Sequence, residues 1–256
     1  MAISKSTLSV ILITKNEAHN IIKCLESVRW ADEIIVFDSG STDNTVELCK
    51  QYTPHVFITD WPGFGPQKNR ALDKATSDWV LTLDADEFLS SELAEKIQIT
   101  IADPQARNIY KIKRITQFCG KYLYYGDWKS DYPLKLFKRH KARFKDVNIH
   151  ESLVGEGEIG KIKEVIWHDS FMSLEEIINK MNTYSTLSAI RFDTEGKSGS
   201  ILKASLKALW TFLRGYIFKL GFLDGKYGFL LAIANAEGCF YKYVKLNLRQ
   251  DQKRKH

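Results

Sequence analysis

Between residues 8 and 83 the apolar positions fall alternately into short continuous runs and helically spaced sets. Residues 8–13 (Leu-Ser-Val-Ile-Leu-Ile), 33–37 (Glu-Ile-Ile-Val-Phe), 55–58 and 79–83 (Trp-Val-Leu-Thr-Leu) read as strands. Between them, 17–28 carries Ile21, Ile22, Leu25 and Val28 at helical spacing, and 44–52 and 65–75 read as two more helices. Strands that are apolar throughout, separated by helices, predict a mainly parallel sheet covered on both faces. The fold class expected is therefore an α/β sandwich of αβα type.

Ligands in such sheets bind beyond the carboxyl ends of the strands. Thr14-Lys15-Asn16-Glu17, Asp38-Ser39-Gly40-Ser41 and Asp84-Ala85-Asp86 each follow a predicted strand, so three distant polar segments should share one rim. Asp38-Ser39-Gly40 alone is also ordinary turn chemistry. Asp84-Ala85-Asp86 sets two carboxylates on one turn, which suits a hard divalent cation such as magnesium or manganese. By itself that pattern is common on surfaces, and the strand before it gives it weight.

From 108 to 169 the pattern changes to shorter strand-like pieces rich in aromatic residues, and past Ser173 it becomes helical and strongly apolar. We expect one domain over 1–172, in two parts, 1–105 and 106–172. A C-terminal helical region over 173–256 follows.

Composition narrows the class. Hydrophobic residues make up 44% and charged residues 27% of 256, which suits a packed core. Cys24, Cys49, Cys119 and Cys239 lie far apart with no C-x-x-C pair, as expected of a reducing cytoplasm. No secretory leader is legible. The net charge of +6 is uneven, with six Lys/Arg and one acid from Lys242 onward. A solvated terminus accounts for that tail, as does anionic lipid. Nucleic-acid binding is not expected, because no recognition motif accompanies the basic residues.

The order and spacing of Ile11-Leu12-Ile13-Thr14-Lys15-Asn16-Glu17, of residues 36–45 (Val-Phe-Asp-Ser-Gly-Ser-Thr-Asp-Asn-Thr) and of Leu83-Asp84-Ala85-Asp86-Glu87 resemble the family 2 glycosyltransferases. Residues 64–72 (Phe-Gly-Pro-Gln-Lys-Asn-Arg-Ala-Leu), His150-Glu151 and Trp167-His168 are similar to a subgroup that adds β-1,4-linked glucose to the inner-core heptose of bacterial lipopolysaccharide. The resemblance implies a GT-A-fold catalytic domain over 1–172, with a nucleotide-sugar-binding half (1–105) and an acceptor half (106–172), and inversion at the sugar carbon by one direct displacement. It further implies that Asp38 accepts a hydrogen bond from uracil, with Thr14 and Glu17 lining the nucleotide pocket. Asp84 would lie near the ribose, and Asp86 would hold Mg2+ or Mn2+. Lys68 would meet the diphosphate, although a plain solvated lysine is an equal reading. The donor implied is UDP-glucose and the acceptor a lipopolysaccharide core or another glycolipid.

A direct displacement needs a base for the acceptor hydroxyl. Glu151 is the candidate, with Asp127 and Asp131 as rivals and a surface ion pair as the plainer reading. His168, at a predicted strand end, can complete the metal site or simply be a hydrogen-bonded structural residue. His150 suits a role orienting the same loop. The aromatic residues between 122 and 132 suit either stacking on acceptor sugars or core packing. Residues 201–223 carry Lys203, Lys207, Arg214 and Lys219 and so cannot span a bilayer. As a basic amphipathic segment they suit the inner face of the cytoplasmic membrane, or packing onto the domain or onto a second subunit. A nucleotidyltransferase and a non-catalytic membrane-associated module are the alternative readings. The first lacks its Gly-rich basic loop here, and the second has no use for Asp38, Asp84, Asp86 and Glu151 together.

Overall fold

A computed structural model describes residues 6–147, 150–171 and 173–254; the side chains of 146, 147, 150, 151 and 171 also lie outside the description. The chain forms two compact units, one of 1–114 with 131–169 and the other of 115–130 with 170–256.

In the first unit the chain runs β1 (Leu8–Thr14), α1 (Ile21–Ser27), β2 (Glu33–Asp38), α2 (Thr45–Lys50), β3 (Val56–Ile58), α3 (Phe64–Lys74), β4 (Trp79–Asp84), β5 (Glu87–Leu89) and α4 (Ser91–Ala102). Then come β6 (Ile109–Phe118, from 115 onward part of the second unit), β8 (Leu134–Lys138), β9 (Ala142–Val147), β10 (His150–Gly155) and β11 (Ile159–Phe171, from 170 onward part of the second unit). The sheet order is β3-β2-β1-β4-β8-β6-β11-β5. It is parallel across β3, β2, β1 and β4, and antiparallel where β4 meets β8 and β8 meets β6.

The buried strands explain the continuous apolar runs. On β1, Leu8, Val10 and Leu12 join a core with α1, α2 and α4, while Ile11 faces a second core with Ala71 and Leu72 of α3. Alternate side chains of one strand thus serve opposite faces, both covered by helix. The fold class expected from the sequence, an α/β sandwich with a helical C-terminal region, is what the structure shows.

Register builds the rim. Thr14 pairs with Asp38, and Ile13 with Asp84, so the ends of β1, β2 and β4 lie side by side. The chain then turns through Ala85-Asp86 into β5, which pairs antiparallel with β11 and sets Glu87 opposite His168. The β9–β10 hairpin is a separate two-stranded sheet fastened to α3. Asn69 bonds both the N–H and the C=O of Phe144, at 3.1 and 2.9 Å.

The second unit contains β7 (Lys121–Tyr122), paired with the end of β6, and three helices: α5 (Leu174–Thr194), α6 (Ile201–Leu213) and α7 (Gly225–Arg254). Ser173 and Ser200 cap α5 and α6 by accepting from Glu176 N and Lys203 N, contacts worth about 1 kcal/mol each. Phe118, Leu123, Ile177 and Leu231 form its buried core. Among the described residues no helix is long and apolar enough to cross a membrane.

Candidate active site

Two loops interlock at the ends of β1 and β2. Asp38 is wholly buried, and its Oδ1 accepts from the backbone N–H groups of Gly40 and Ser41 at 3.0 and 2.7 Å. Its Oδ2 accepts from the hydroxyls of Thr14, at 2.9 Å, and Ser41. Gly40 has φ +81, a left-handed turn position that favours glycine. Asn16, also left-handed at φ 56, accepts from Thr42 N at 2.8 Å and donates its own N–H to Ser41 Oγ at 2.8 Å. Asp38, expected to receive a uracil N–H, therefore has both oxygens engaged within the protein. Glu17 sits beside this pair of loops, its backbone N–H on Thr45 Oγ1 at 2.8 Å and its carboxylate on Asn20 Nδ2 at 3.1 Å.

At the end of β4 a chain of alternating charges begins. Lys68 on α3, only 5% exposed, donates to Asp84 Oδ1 at 2.8 Å. Lys135 on β8, 4% exposed, donates to Asp84 Oδ2 at 3.1 Å and to Glu87 Oε2. Glu87 is fully buried and also accepts from Arg114 Nη1 at 3.0 Å and from the Asp84 N–H at 3.0 Å. Arg114 in turn grips Asp131 with two hydrogen bonds of 3.1 and 2.8 Å. Burial raises the Asp84 carboxyl, but Lys135 and Lys68 outweigh that and hold it well below the usual carboxylate range. Lys68 is thus neither a solvated surface lysine nor far from the acidic turn.

A cavity of about 280 Å³ opens against this cluster, lined by Lys68, Asp84, Arg114 and Lys135 together with Thr82 and Phe144. Among the described residues three cations and one carboxylate reach this wall, and Glu87 and Asp131 behind it pair with Lys135 and Arg114. The Thr82 hydroxyl is buried there without a hydrogen-bond partner among the described residues.

Asp86 lies at the next position along the rim. Its Oδ2 is 3.2 Å from His168 Nε2, and its C=O accepts from Asp169 N at 2.9 Å, which fixes the turn to β11. Asp169 is itself held by Lys23 at 2.8 Å. Asp86 offers an oxygen that suits magnesium or manganese, and His168 offers, 3.2 Å from it, a nitrogen that the softer manganese accepts more readily than magnesium. No group of three or more His, Cys, Asp or Glu side chains forms a metal cage among the described residues.

Other sequence candidates fall elsewhere. Glu151 lies on β10 opposite Asp146, but its side chain, like that of His150, is outside the described residues. Asp131 is taken up by Arg114, and Asp127, in the second unit, pairs with Arg214 and Lys219. Tyr124 and Tyr125 are exposed, whereas Trp128 packs edge-on to Phe118. Sequence reasoning misses Lys135, Arg114 and the part played by Glu87. The one signal for Lys135 is a lone charge inside the apolar run Leu134-Lys135-Leu136-Phe137.

Comparison with known proteins follows the same lines. The family model described as Glycosyl transferase family 2 matches residues 9–154. The chain is 33% identical to a glycosyltransferase of Rickettsia typhi, over 93% of this chain and 86% of that protein. It is 30% identical to the lipopolysaccharide core biosynthesis glycosyltransferase LpsC of Rhizobium meliloti, over 96% of this chain and 94% of that protein. Among solved structures, S. aureus TarS 1-349 aligns with a TM-score of 0.47 and 14% identity, covering 96% of this chain and 92% of that one. The chain belongs to glycosyl transferase family 2 and is a glycosyltransferase.

Proposed function

We propose that the chain is an inverting, divalent-cation-dependent hexosyltransferase that moves glucose from UDP-glucose onto a heptose of the lipopolysaccharide inner core. The observation that carries the donor reading is the grouping of buried Lys68 and Lys135 around Asp84 at the carboxyl ends of the strands. A departing nucleoside diphosphate gathers negative charge, and fixed ammonium groups in a poorly solvated site stabilise it without reorganising. Likeness to LpsC, named for lipopolysaccharide core biosynthesis, supports the acceptor class.

In this reading Thr14, Glu17 and the turn held by Asp38 receive the nucleoside, and Asp84 orients Lys68 and Lys135 toward the diphosphate. Asp86 and His168 would hold Mg2+ or Mn2+, which when bound acts as a Lewis acid on the leaving group. Glu151 takes the proton from the acceptor hydroxyl. The exposed Leu202, Leu206 and Leu209 of α6, beside Lys203 and Lys207, support attachment to the anionic inner face of the cytoplasmic membrane.

The test is a panel of nucleotide-sugar donors assayed for nucleoside diphosphate release onto lipopolysaccharide core acceptors, with and without EDTA. UDP-glucose should be turned over and EDTA should abolish release. Release from no donor would end the hexosyltransferase reading, and indifference to EDTA would remove the cation from it.

A further inference from the structure

The second unit holds a larger cavity, about 800 Å³, enclosed by α5, α6 and α7 and the turn that follows α6. Its size is within the range of small-molecule sites. Five cations line it, one or more from each bordering element: Lys180 on α5, Lys207 on α6, Arg214 and Lys219 after α6, and Lys242 on α7. Among the described residues Asp127 is the single carboxylate on its wall. That carboxylate is committed, since it accepts from Arg214 Nη2 at 3.0 Å and Lys219 Nζ at 2.7 Å. It fixes two cations at the wall rather than neutralising the cavity. The Nε of Arg214 is buried there with no hydrogen-bond partner among the described residues.

Around Asp127 and the neighbouring turn the backbone is closely packed. A Cβ on Gly215 would lie 3.0 Å from Asp127 Oδ2, and one on Gly221 would lie 2.7 Å from Gly215 O. Arg214 opens a single π-helical turn, Arg214–Phe218, a distortion that recurs at functional sites.

The same cavity is also aromatic and borders an apolar surface. Trp210 lines it while half exposed, and Tyr184 lines it at 58% exposure. Within one turn of Trp210, Leu206 and Leu209 point outward at 59% and 57% exposure, and Leu202 continues that face at 71%. Cations converging in a concavity recognise a phosphate. A tryptophan between wet and apolar surroundings, beside a stripe of exposed leucines, suits the level of lipid headgroups.

We propose that this cavity is a headgroup site for an anionic phospholipid, with the phosphate among Lys180, Lys207, Arg214 and Lys242 and the acyl chains along the leucine face of α6. The charge balance and the adjoining apolar stripe favour a lipid over a free anion. The proposal rests on the membrane-surface reading of α6, and its test separates the two.

The full chain is titrated calorimetrically with a short-chain phosphatidylglycerol below its micellar concentration, with the matching phosphatidylcholine, and with inorganic phosphate. Sedimentation with phosphatidylglycerol vesicles runs alongside. Saturable binding of one short-chain phosphatidylglycerol per chain, stronger than the choline lipid, is expected. Lys207→Glu and the double variant Lys207→Glu/Lys242→Glu should weaken it progressively, the double by at least about tenfold, with UDP-sugar binding and the far-UV spectrum unchanged. Equal affinity for the choline lipid, or no effect of either variant, would overturn the site. Inorganic phosphate binding as tightly as the lipid would make it a free-anion site and overturn the lipid assignment. Vesicle sedimentation without short-chain binding would leave the membrane reading standing and remove the cavity from it.

Discussion

Lys68 donates to Asp84 across 2.8 Å, tying the start of α3 to the last residue of β4. The opposite oxygen of Asp84 takes Lys135, so this carboxylate holds two nearly buried ammonium groups at once. In the fold it fixes both ammonium groups at the carboxyl end of β4, and in the proposed reading those are the groups that meet the donor's diphosphate.

Lys135 is the residue on which that cluster depends most. Lys135→Met would leave Glu87, fully buried, with Arg114 as its remaining cationic partner among the described residues. Breaking a buried pair in this way costs about 3–5 kcal/mol. Urea denaturation should show that loss, and a change within about 0.5 kcal/mol, the scatter of ordinary surface substitutions, would mean the network is not stabilising.

Asp86 and His168 should behave differently. They are partly exposed, and in the proposed reading they act on ion binding rather than on core packing. Asp86→Asn and His168→Gln are each expected to weaken Mn2+ binding in the presence of UDP by at least about tenfold while leaving Tm unchanged. Calorimetric titration of Mn2+ into the UDP complex reads this directly. Undiminished Mn2+ affinity in both variants would move the ion elsewhere.

Glu151→Gln should abolish turnover while UDP-glucose binding persists, because an amide cannot take the acceptor proton but occupies the same volume. Comparing kcat with the donor Kd decides it. Normal turnover in the variant would assign the base to another group.

Acid stability should carry the signature of Asp84. Its folded pKa lies below the unfolded value of about 3.9. Its contribution is therefore fully present above about pH 4 and is lost as pH falls through the lower folded value. Asp84→Asn removes that titration, so its stability should fall less steeply than that of the parent on acidification below about pH 4. Parallel acid limbs in the two proteins would contradict the assignment.

The four cysteines should separate in a thiol-labelling experiment. Cys24 is buried against the Asp84 carbonyl, and burial, with Glu87, Asp86 and Asp84 nearby, pushes its thiol well up. Burial, and then Asp38, raises Cys49 to about 12. Cys119 and Cys239 are partly exposed. A maleimide at neutral pH should modify Cys239 in the native chain and reach Cys24 and Cys49 only after denaturation. Early modification of Cys24 would mean that the α1–β4 packing opens readily.

Much of this was legible in the sequence because its causes are local. Apolar runs covered on both faces required β1, β2 and β4 to be inner strands, and Asp38, Asp84 and Thr14 followed at their ends by chain continuity. Gly40 marked a turn through its tolerance of positive φ, whereas the left-handed Asn16 came only from the structure. What only the tertiary structure decided is who neutralises whom. Lys135 is 51 residues from Asp84 and 48 from Glu87, and Arg114 is 27 from Glu87. Antiparallel pairing of β8 against β4 and burial in a low-dielectric interior turn those separate charges into one cluster, and neither is written in the spacing of residues. His168 reaches Asp86 for the same reason: the register of β11 on β5, set by packing, places it there.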